Sequence, residues 1–249
     1  MEADIREYDT VSSTNIILSE MAEGGAAEGT CVTALCQTQG QGRSGRKFFS
    51  PDGGNLYMSL LLRPHDDLKT RMITVAAAVA VTEAIYESFN VNARIKWVND
   101  IIYRNKKVCG IVAQAHNYGL DNMYVVLGIG INIYPAKDVP PDLEGIYGSI
   151  IQTACDVPKD QQKAMTRKLA GLVISRFSKY YEQPKDTCLI DKYRDYSIVT
   201  GRIVEYMSGR DTIRAKAVGI SDEGGIMLEH DGVVKTFSDG EIRIKLADM

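Results

Sequence analysis

Apolar and polar residues follow two different rhythms along this chain: long alternations of strand and helix first, then a run of short strands only. Ser13-Thr14-Asn15, followed by Ile16, Ile17 and Leu18, predicts a helix start with Ser13 or Thr14 as N-cap, and Gly24-Gly25 stops it. Residues 30–38 are β-branched and apolar enough for a strand. Gln39 to Gly54 is polar and dotted with glycine, too irregular for a helix or a strand. Asn55 to Leu62 reads as a buried strand. From about Leu68 to Ser88 apolar residues recur at helical spacing, Ile73, Ala77, Val81 and Ile85 among them.

A β-hairpin is predicted next. In residues 94–100 Ile95 and Trp97 point to one face and Arg94 and Lys96 to the other, because strand side chains alternate. Residues 103–106 read as its turn, 108–115 as the returning strand, and 123–133 as a further strand covered on at least one face. Residues 159–181 form an amphipathic helix and 189–193 a second, short one. After about Tyr196 only short strands remain, at 202–207, 211–220, 225–230, 233–238 and 242–246. Asp231-Gly232 between two alternating runs predicts a type I′ hairpin, and Glu223-Gly224-Gly225 a second turn. The expected architecture is α+β: a mixed sheet with packed helices over residues 1–196, then a small β-barrel over 197–249.

Composition adds mainly exclusions. With 249 residues, 45% of them apolar and 24% charged, the chain has the balance of a globular protein with a core of normal size. A net charge of −3 provides no general basic field for nucleic acid. The cysteines, Cys31, Cys36, Cys109, Cys155 and Cys188, are odd in number and lie at neither disulfide-framework nor zinc spacing. The start MEADIREYD is not a signal peptide, and no stretch reaches the roughly 20 apolar residues of a membrane helix. A cytoplasmic location is expected.

Four segments carry candidate chemistry. Gln37 to Phe48 places Gly40, Gly42 and Gly45 beside Arg43, Arg46 and Lys47 after a strand. Glycine lets backbone N–H groups approach an anion, and the cations neutralise phosphate or carboxylate. It is neither a Walker A loop nor GxGxxG, and a solvated loop is the alternative reading. Lys96-Trp97-Val98-Asn99-Asp100 can bring a phosphate and Mg²⁺ together, since Asp and Asn oxygens suit a hard cation; a surface turn is the alternative. Lys107, in the returning strand ahead of Gly110, can face the same place. Gly128 and Gly130 interrupt an apolar strand that ends at Asn132, either for a ligand's close approach or to relieve packing. His65, His116 and His230 have no evident partners, and no hydrolase triad or glycine elbow is visible.

In this order and spacing, over essentially the whole chain, these segments resemble the biotin–protein ligase family. Its pattern is STN, then QxxGxGRxxRxW, KWPND, K[LIV]xG[IV] and GxGxN, then an SH3-like barrel. Here these stand at Ser13–Asn15, Gln37–Phe48, Lys96–Asp100, Lys107–Ile111, Gly128–Asn132 and from Ala215 onward. The resemblance implies ATP-dependent formation of biotinoyl-AMP, with biotin and ATP as substrates and Mg²⁺ as cofactor. The biotinoyl group then passes to a lysine of a biotin carboxyl carrier domain. It implies a biotin site of Ser13, Thr14, Asn15, Gln37, Gly40, Gln41, Gly42, Arg43, Lys107, Gly110 and Gly128. It implies a nucleotide site of Arg43, Arg46, Phe48, Lys96, Asn99, Gly130 and Asn132. Arg43, Lys96, Lys107 and Asp100 would be catalytic, with Asp100 on Mg²⁺.

The chain departs from the family pattern at Gln41, often Arg, at Phe48 in place of Trp, and at Val98 in place of Pro. The first loses a charge and the second an indole N–H, so slower adenylation or weaker retention of the adenylate is expected. With STN at residues 13–15 no helix-turn-helix domain of the kind some members carry is expected ahead of it, hence the monofunctional type without a DNA-binding role. Family members often pair through the sheet, so a homodimer is compatible. The competing readings are a lipoate or octanoate ligase or transferase, and a catalytically weak biotin-binding relative.

Overall fold

A computed structural model of the chain describes residues 1–117, 122–153, 157–183, 187–208, 211–238 and 244–246. Cys155 and the first two residues of the last expected strand lie outside them. The described elements run β1 Asp4–Val11, α1 Thr14–Glu23, β2 Thr30–Gln37, β3 Leu56–Leu62, α2 Asp67–Phe89, β4 Arg94–Lys96, β5 Asp100–Tyr103, β6 Lys106–His116 and β7 Tyr124–Ile131. Then come α3 Lys159–Glu182, α4 Thr187–Tyr196, β8 Ile203–Ser208, β9 Asp211–Ile220, β10 Ile226–His230, β11 Val233–Phe237 and β12 Ile244–Leu246.

The first seven strands form one sheet in the order β1-β2-β3-β7-β6-β5-β4. β1 pairs parallel with β2 and the other ladders are antiparallel, so the sheet is mixed as expected. Strand alternation sorts its side chains. Leu56, Met58, Leu60 and Leu62 of β3, with Val125, Leu127, Ile129 and Ile131 of β7, join the large core around α2, α3 and α4. On the opposite face Leu61 and Val126 pack with Leu18 and Ala22 of α1. Fully burying one such leucine or valine contributes roughly 1.5–3 kcal/mol. The short α1 covers only part of this second face. Tyr57, Ser59, Gly110, Gly128 and Gly130 continue the same rows past its end, and the cleft opens there.

The helix of Lys69–Phe89 within α2 is long and apolar enough to cross a membrane, contrary to the expectation that no stretch qualifies. Its most apolar window is 72% buried within the fold, and Ala76 to Val81 are each at most 1% exposed. Burial on nearly all sides accounts for that apolarity. Asp66 caps the helix, its side chain accepting from the Lys69 N–H at 2.7 Å.

Two other features go beyond the sequence reading, one in a segment it left unassigned and one where it differs. The acidic N-terminal stretch is a strand, β1, exposed along most of its length at the sheet edge. The single hairpin expected from Arg94 is two: β4 ends at Lys96, the chain turns through Trp97–Asn99, and β5 starts at Asp100, which pairs back to Lys96. Tertiary contacts hold that turn. The Trp97 indole donates to the Gly224 carbonyl at 2.9 Å, and the Tyr193 hydroxyl to the Val98 carbonyl at 3.0 Å.

The C-terminal strands form an antiparallel sheet in the order β11-β10-β9-β8-β12. Among the described residues β11 and β12 are its two edges, with no ladder between them, so the closure of the expected barrel is not seen among those residues. The connecting residues 239–243 lie outside the described set. Asp231 and Gly232 both have positive φ, 51° and 77°, as the expected type I′ turn requires. The inner side chains Val204, Ala217, Ile226 and Leu228 are continuous with the main core.

Candidate active site

The open half of the sheet's second face is the floor of a cleft of about 410 Å³. At one end α1 begins. Ser13 is its extended N-cap residue but makes no side-chain cap bond. The Gln37 side chain takes over that work, its Oε1 accepting from the Thr14 N–H at 2.8 Å and lying 3.0 Å from Thr14 Oγ1. Gln37 Nε2 donates to Ser50 Oγ at 3.0 Å, and Ser50 Oγ donates to the Phe48 carbonyl at 2.9 Å. The Asn15 amide lies against Gly128, where a Cβ would come within 2.4 Å of its Oδ1. Gly128 is therefore required for packing against Asn15. Hydroxyl and amide groups thus crowd this end.

The other end is cationic. The stretch expected to be irregular folds back on itself. Gln41 bridges to Lys47, the Phe48 N–H donates to the Gly40 carbonyl at 2.8 Å, and Arg43–Gly45 makes one 3₁₀ turn. This brings Arg43 Nη1 to 3.2 Å from Asn99 Oδ1. Asn99 is fixed in turn by donating to the Ile111 carbonyl at 2.6 Å. Lys107 Nζ lies 2.5 Å from Asp100 Oδ1 and 5.7 Å from the Phe48 ring centre. The Phe48 ring rests on two glycines: a Cβ on Gly130 would stand 2.3 Å from it, and one on Gly110 2.8 Å. Burial pushes the Lys96 ammonium below the usual lysine range; Asp100 opposes this, while Lys107 and Lys245 add to it. Three cations against one carboxylate leave this end with a positive excess suited to phosphates.

Of the expected residues, Thr14, Asn15, Gln37, Gln41, Gly42 and Arg43 line the cleft, and so do Phe48, Asn99, Lys107, Gly110, Gly128 and Gly130. Six do not. Ser13 and Asn132 are buried, 1% and 3% exposed. Gly40 packs tightly under Phe48 and Ser50. Arg46 is exposed, and Lys96 and Asp100 stand behind the lining. Asn132 donates to the Gly148 carbonyl at 3.0 Å, while its buried Oδ1 has no partner among the described residues. Residues not anticipated include Met58, Ile111, Val112 and Ile129. Val112, on the same face as its ladder partner Gly128, gives the cleft an apolar middle together with the bare glycine backbone, while the side chains of Met58, Ile111 and Ile129 belong to the main core behind the sheet. Ser59 and Gln114, beneath Thr14 and Asn15, were missed as well. Ser59 had a signal, being the one polar side chain between Leu56 and Leu62 apart from the Tyr57 hydroxyl. No cluster of three metal-ligating side chains occurs among the described residues. Asp100 alone offers a carboxylate, which fits a Mg²⁺ held chiefly by a nucleotide's own phosphates.

A sheet-floored cleft with a polar end, an apolar middle and a cationic end defines a site for a small molecule with a polar head and an anionic partner. Residues 8–132 match the sequence profile of the Biotin/lipoate A/B protein ligase family. The chain belongs to that family. It is 33% identical over 234 residues to the bifunctional ligase/repressor BirA of Bacillus subtilis, a match covering 93% of this chain and 71% of that protein. It is 28% identical over 249 residues to the biotin–[acetyl-CoA-carboxylase] ligase of Mycobacterium tuberculosis, covering 95% and 88%. Among solved structures, the Aquifex aeolicus biotin protein ligase in complex with biotin and ATP superposes with a TM-score of 0.78 at 25% identity, covering 98% of this chain and 99% of that one.

Proposed function

We propose that the chain is an ATP-dependent biotin–protein ligase. The observation that carries this reading is the placement of a hydroxyl–amide end, Thr14, Asn15 and Gln37, and a cationic end, Arg43 and Lys107, in one cleft with an apolar middle. Biotin has the matching order: a polar cyclic urea, an apolar chain, a carboxylate. Its carboxylate would then lie among the cations, where the phosphates of ATP also belong.

The chemistry follows from charge. A carboxylate oxygen attacks the α-phosphorus of ATP, forming the biotinoyl-AMP anhydride as the bond to pyrophosphate breaks. Two anions must meet, and Arg43, Lys96 and Lys107 reduce their repulsion and stabilise the charge that leaves on pyrophosphate. Mg²⁺, when bound with the nucleotide, would supply further charge neutralisation, with Asp100 and Asn99 the residues to hold it. Asp100 also keeps Lys107 aimed across the cleft floor. The Gly40–Phe48 loop, tied to Asn99 through Arg43, shields the anhydride from water. The amine of a carrier-domain lysine then attacks the acyl carbon; the bond to AMP breaks and the amine loses a proton. The nucleophile comes from the partner, so the chain needs none of its own.

The same reading takes the partner to be a biotin carboxyl carrier domain, the location to be the cytoplasm and the working form to be compatible with a homodimer. It takes residues 1–196 as the catalytic domain and 197–249 as an SH3-like barrel. The decisive experiment offers labelled biotin and labelled lipoate, each with ATP, to a carrier domain. Biotin incorporation is expected. Incorporation of lipoate alone would move the chain to the other branch of its family, and binding of biotin without incorporation would make it a non-catalytic relative.

A further inference from the structure

Ser59 lies in β3 beneath the cleft, fully buried and outside its lining. Its Oγ is 2.5 Å from Asn15 Oδ1 and 2.7 Å from Thr14 Oγ1. Proton counts and distances together set the direction of each bond. Asn15 Nδ2 donates to Gln114 Oε1 at 2.9 Å, so the oxygen of that amide faces Ser59 and can only accept. Two oxygens 2.5 Å apart hold a proton between them, so the Ser59 hydroxyl donates to Asn15. The Thr14 hydroxyl proton then has two acceptors in reach, the Ser59 oxygen at 2.7 Å and Gln37 Oε1 at 3.0 Å, and the shorter contact takes it, because two oxygens 2.7 Å apart with no proton between them would repel.

This leaves two oxygens unspent above it. Thr14 Oγ1 keeps its lone pairs for the cleft. Gln37 is oriented independently: Ser50 spends its proton on the Phe48 carbonyl and therefore accepts from Gln37 Nε2, which turns Gln37 Oε1 toward Thr14. That Oε1 accepts the Thr14 N–H and retains a second lone pair. We propose that Ser59 is a positioning residue: by drawing the Thr14 proton downward it makes this corner a double acceptor for the paired N–H groups of a cyclic urea. The proposal rests on the biotin reading above and names the part of the fold that sets the polarity of its head-group site.

The test is calorimetric titration of the full chain and its Ser59→Ala variant with biotin, desthiobiotin and ATP. Desthiobiotin keeps the urea ring and lacks the thioether. Without Ser59 the Thr14 proton turns to Gln37 Oε1, 3.0 Å away, and the corner loses one acceptor. The dissociation constants of biotin and desthiobiotin should each rise about tenfold, that of ATP less than about twofold. In a Thr14→Val background there is no proton to place, so adding Ser59→Ala should cost less than about twofold more. Unchanged biotin affinity in Ser59→Ala, or the same loss in both backgrounds, would overturn the proposal, the second showing only a packing role. If Ser59→Ala does not fold, Ser59→Cys keeps the volume with a weaker acceptor, and about a threefold loss is expected. A parent chain that binds no biotin would remove the underlying reading, which separates that failure from failure of the relay.

Discussion

Replacing Gly130 by alanine tests whether the Phe48 ring is part of the working site. The added Cβ would stand 2.3 Å from Cε1 and 2.8 Å from Cζ of that ring. An ordinary carbon–carbon contact is about 3.5 Å, so the nearest ring atom must retreat by roughly 1.2 Å. The strand cannot yield instead, because Gly130 sits between Tyr57 of β3 and Gly110 of β6 in two ladders. Nor can the Phe48 backbone, which donates to Gly40 and accepts from Ser50. The ring must swing off the floor, and its contact with the Lys107 ammonium goes with it. An aromatic contact is worth about 0.5–1.5 kcal/mol and a cation over a ring about 0.5–1 kcal/mol. Their combined loss, about 1–2.5 kcal/mol, is roughly 5- to 60-fold in the affinity of whatever the ring helps hold. The assay is ATP-dependent transfer of labelled biotin by the parent, Gly130→Ala, Phe48→Ala and the double variant. KM for ATP should rise by that factor while biotin affinity moves less than about twofold, and the double variant should be no worse than Phe48→Ala. An unchanged KM for ATP, or losses that add in the double variant, would refute the reasoning. Fold stability should hold, since alanine suits a strand interior at least as well as glycine.

Trp97→Phe removes the indole donor and leaves the Gly224 carbonyl unpaired, at about 1–3 kcal/mol. A Tm lowered by roughly 2–10 °C and a raised KM for ATP should appear together, because the same turn carries Asn99 and Asp100. An unchanged melt would show that the C-terminal sheet does not depend on this bond. Glu83 accepts from the Tyr180 hydroxyl at 2.9 Å and from Lys192 at 2.6 Å, joining α2, α3 and α4. Since Lys192 is 37% exposed, Glu83→Gln should cost only about 1–2 kcal/mol, seen as a lower Tm with the biotin dissociation constant unchanged. Gln41→Arg adds a cation to the loop and should slow release of the adenylate from a pulse-labelled complex; faster leakage than the parent's would count against the loop's role as a shield. Burial holds the Lys96 pKa below its unfolded value, so between the two the unfolded chain binds more protons and stability rises with pH. In urea titrations from about pH 8 to 11 the parent should gain on Lys96→Met as pH rises, and the opposite slope would contradict the burial argument.

Much of the fold was legible because it is written at short range. The helical spacing of Ile73, Ala77, Val81 and Ile85 and the apolar run of Leu56–Leu62 are periodicities that a window of residues contains. Most of the candidate site was legible for a similar reason: glycines in a loop and in a strand make sense only where something approaches the backbone. What lay outside that reach depended on distant partners. β1 has the charged, exposed pattern of a loop and is a strand because Thr30–Gln37 offers it an edge. The strand expected through Trp97 breaks because Gly224 and Tyr193, far along the chain, capture the turn. Of the two readings open for Gly128 and Gly130, relief of packing is the one visible in the fold, each glycine making room for a side chain of this protein, Asn15 and Phe48. The sequence by itself determined most of the strands and helices and which residue types gather for anion chemistry. Only the tertiary structure decided that α1 stops short on one face of the sheet, that the cleft lies on the uncovered part, and that Ser59 sits beneath it. Those are relations between residues far apart in sequence, fixed by how covered and uncovered surface is shared among packed elements, and no local period encodes them.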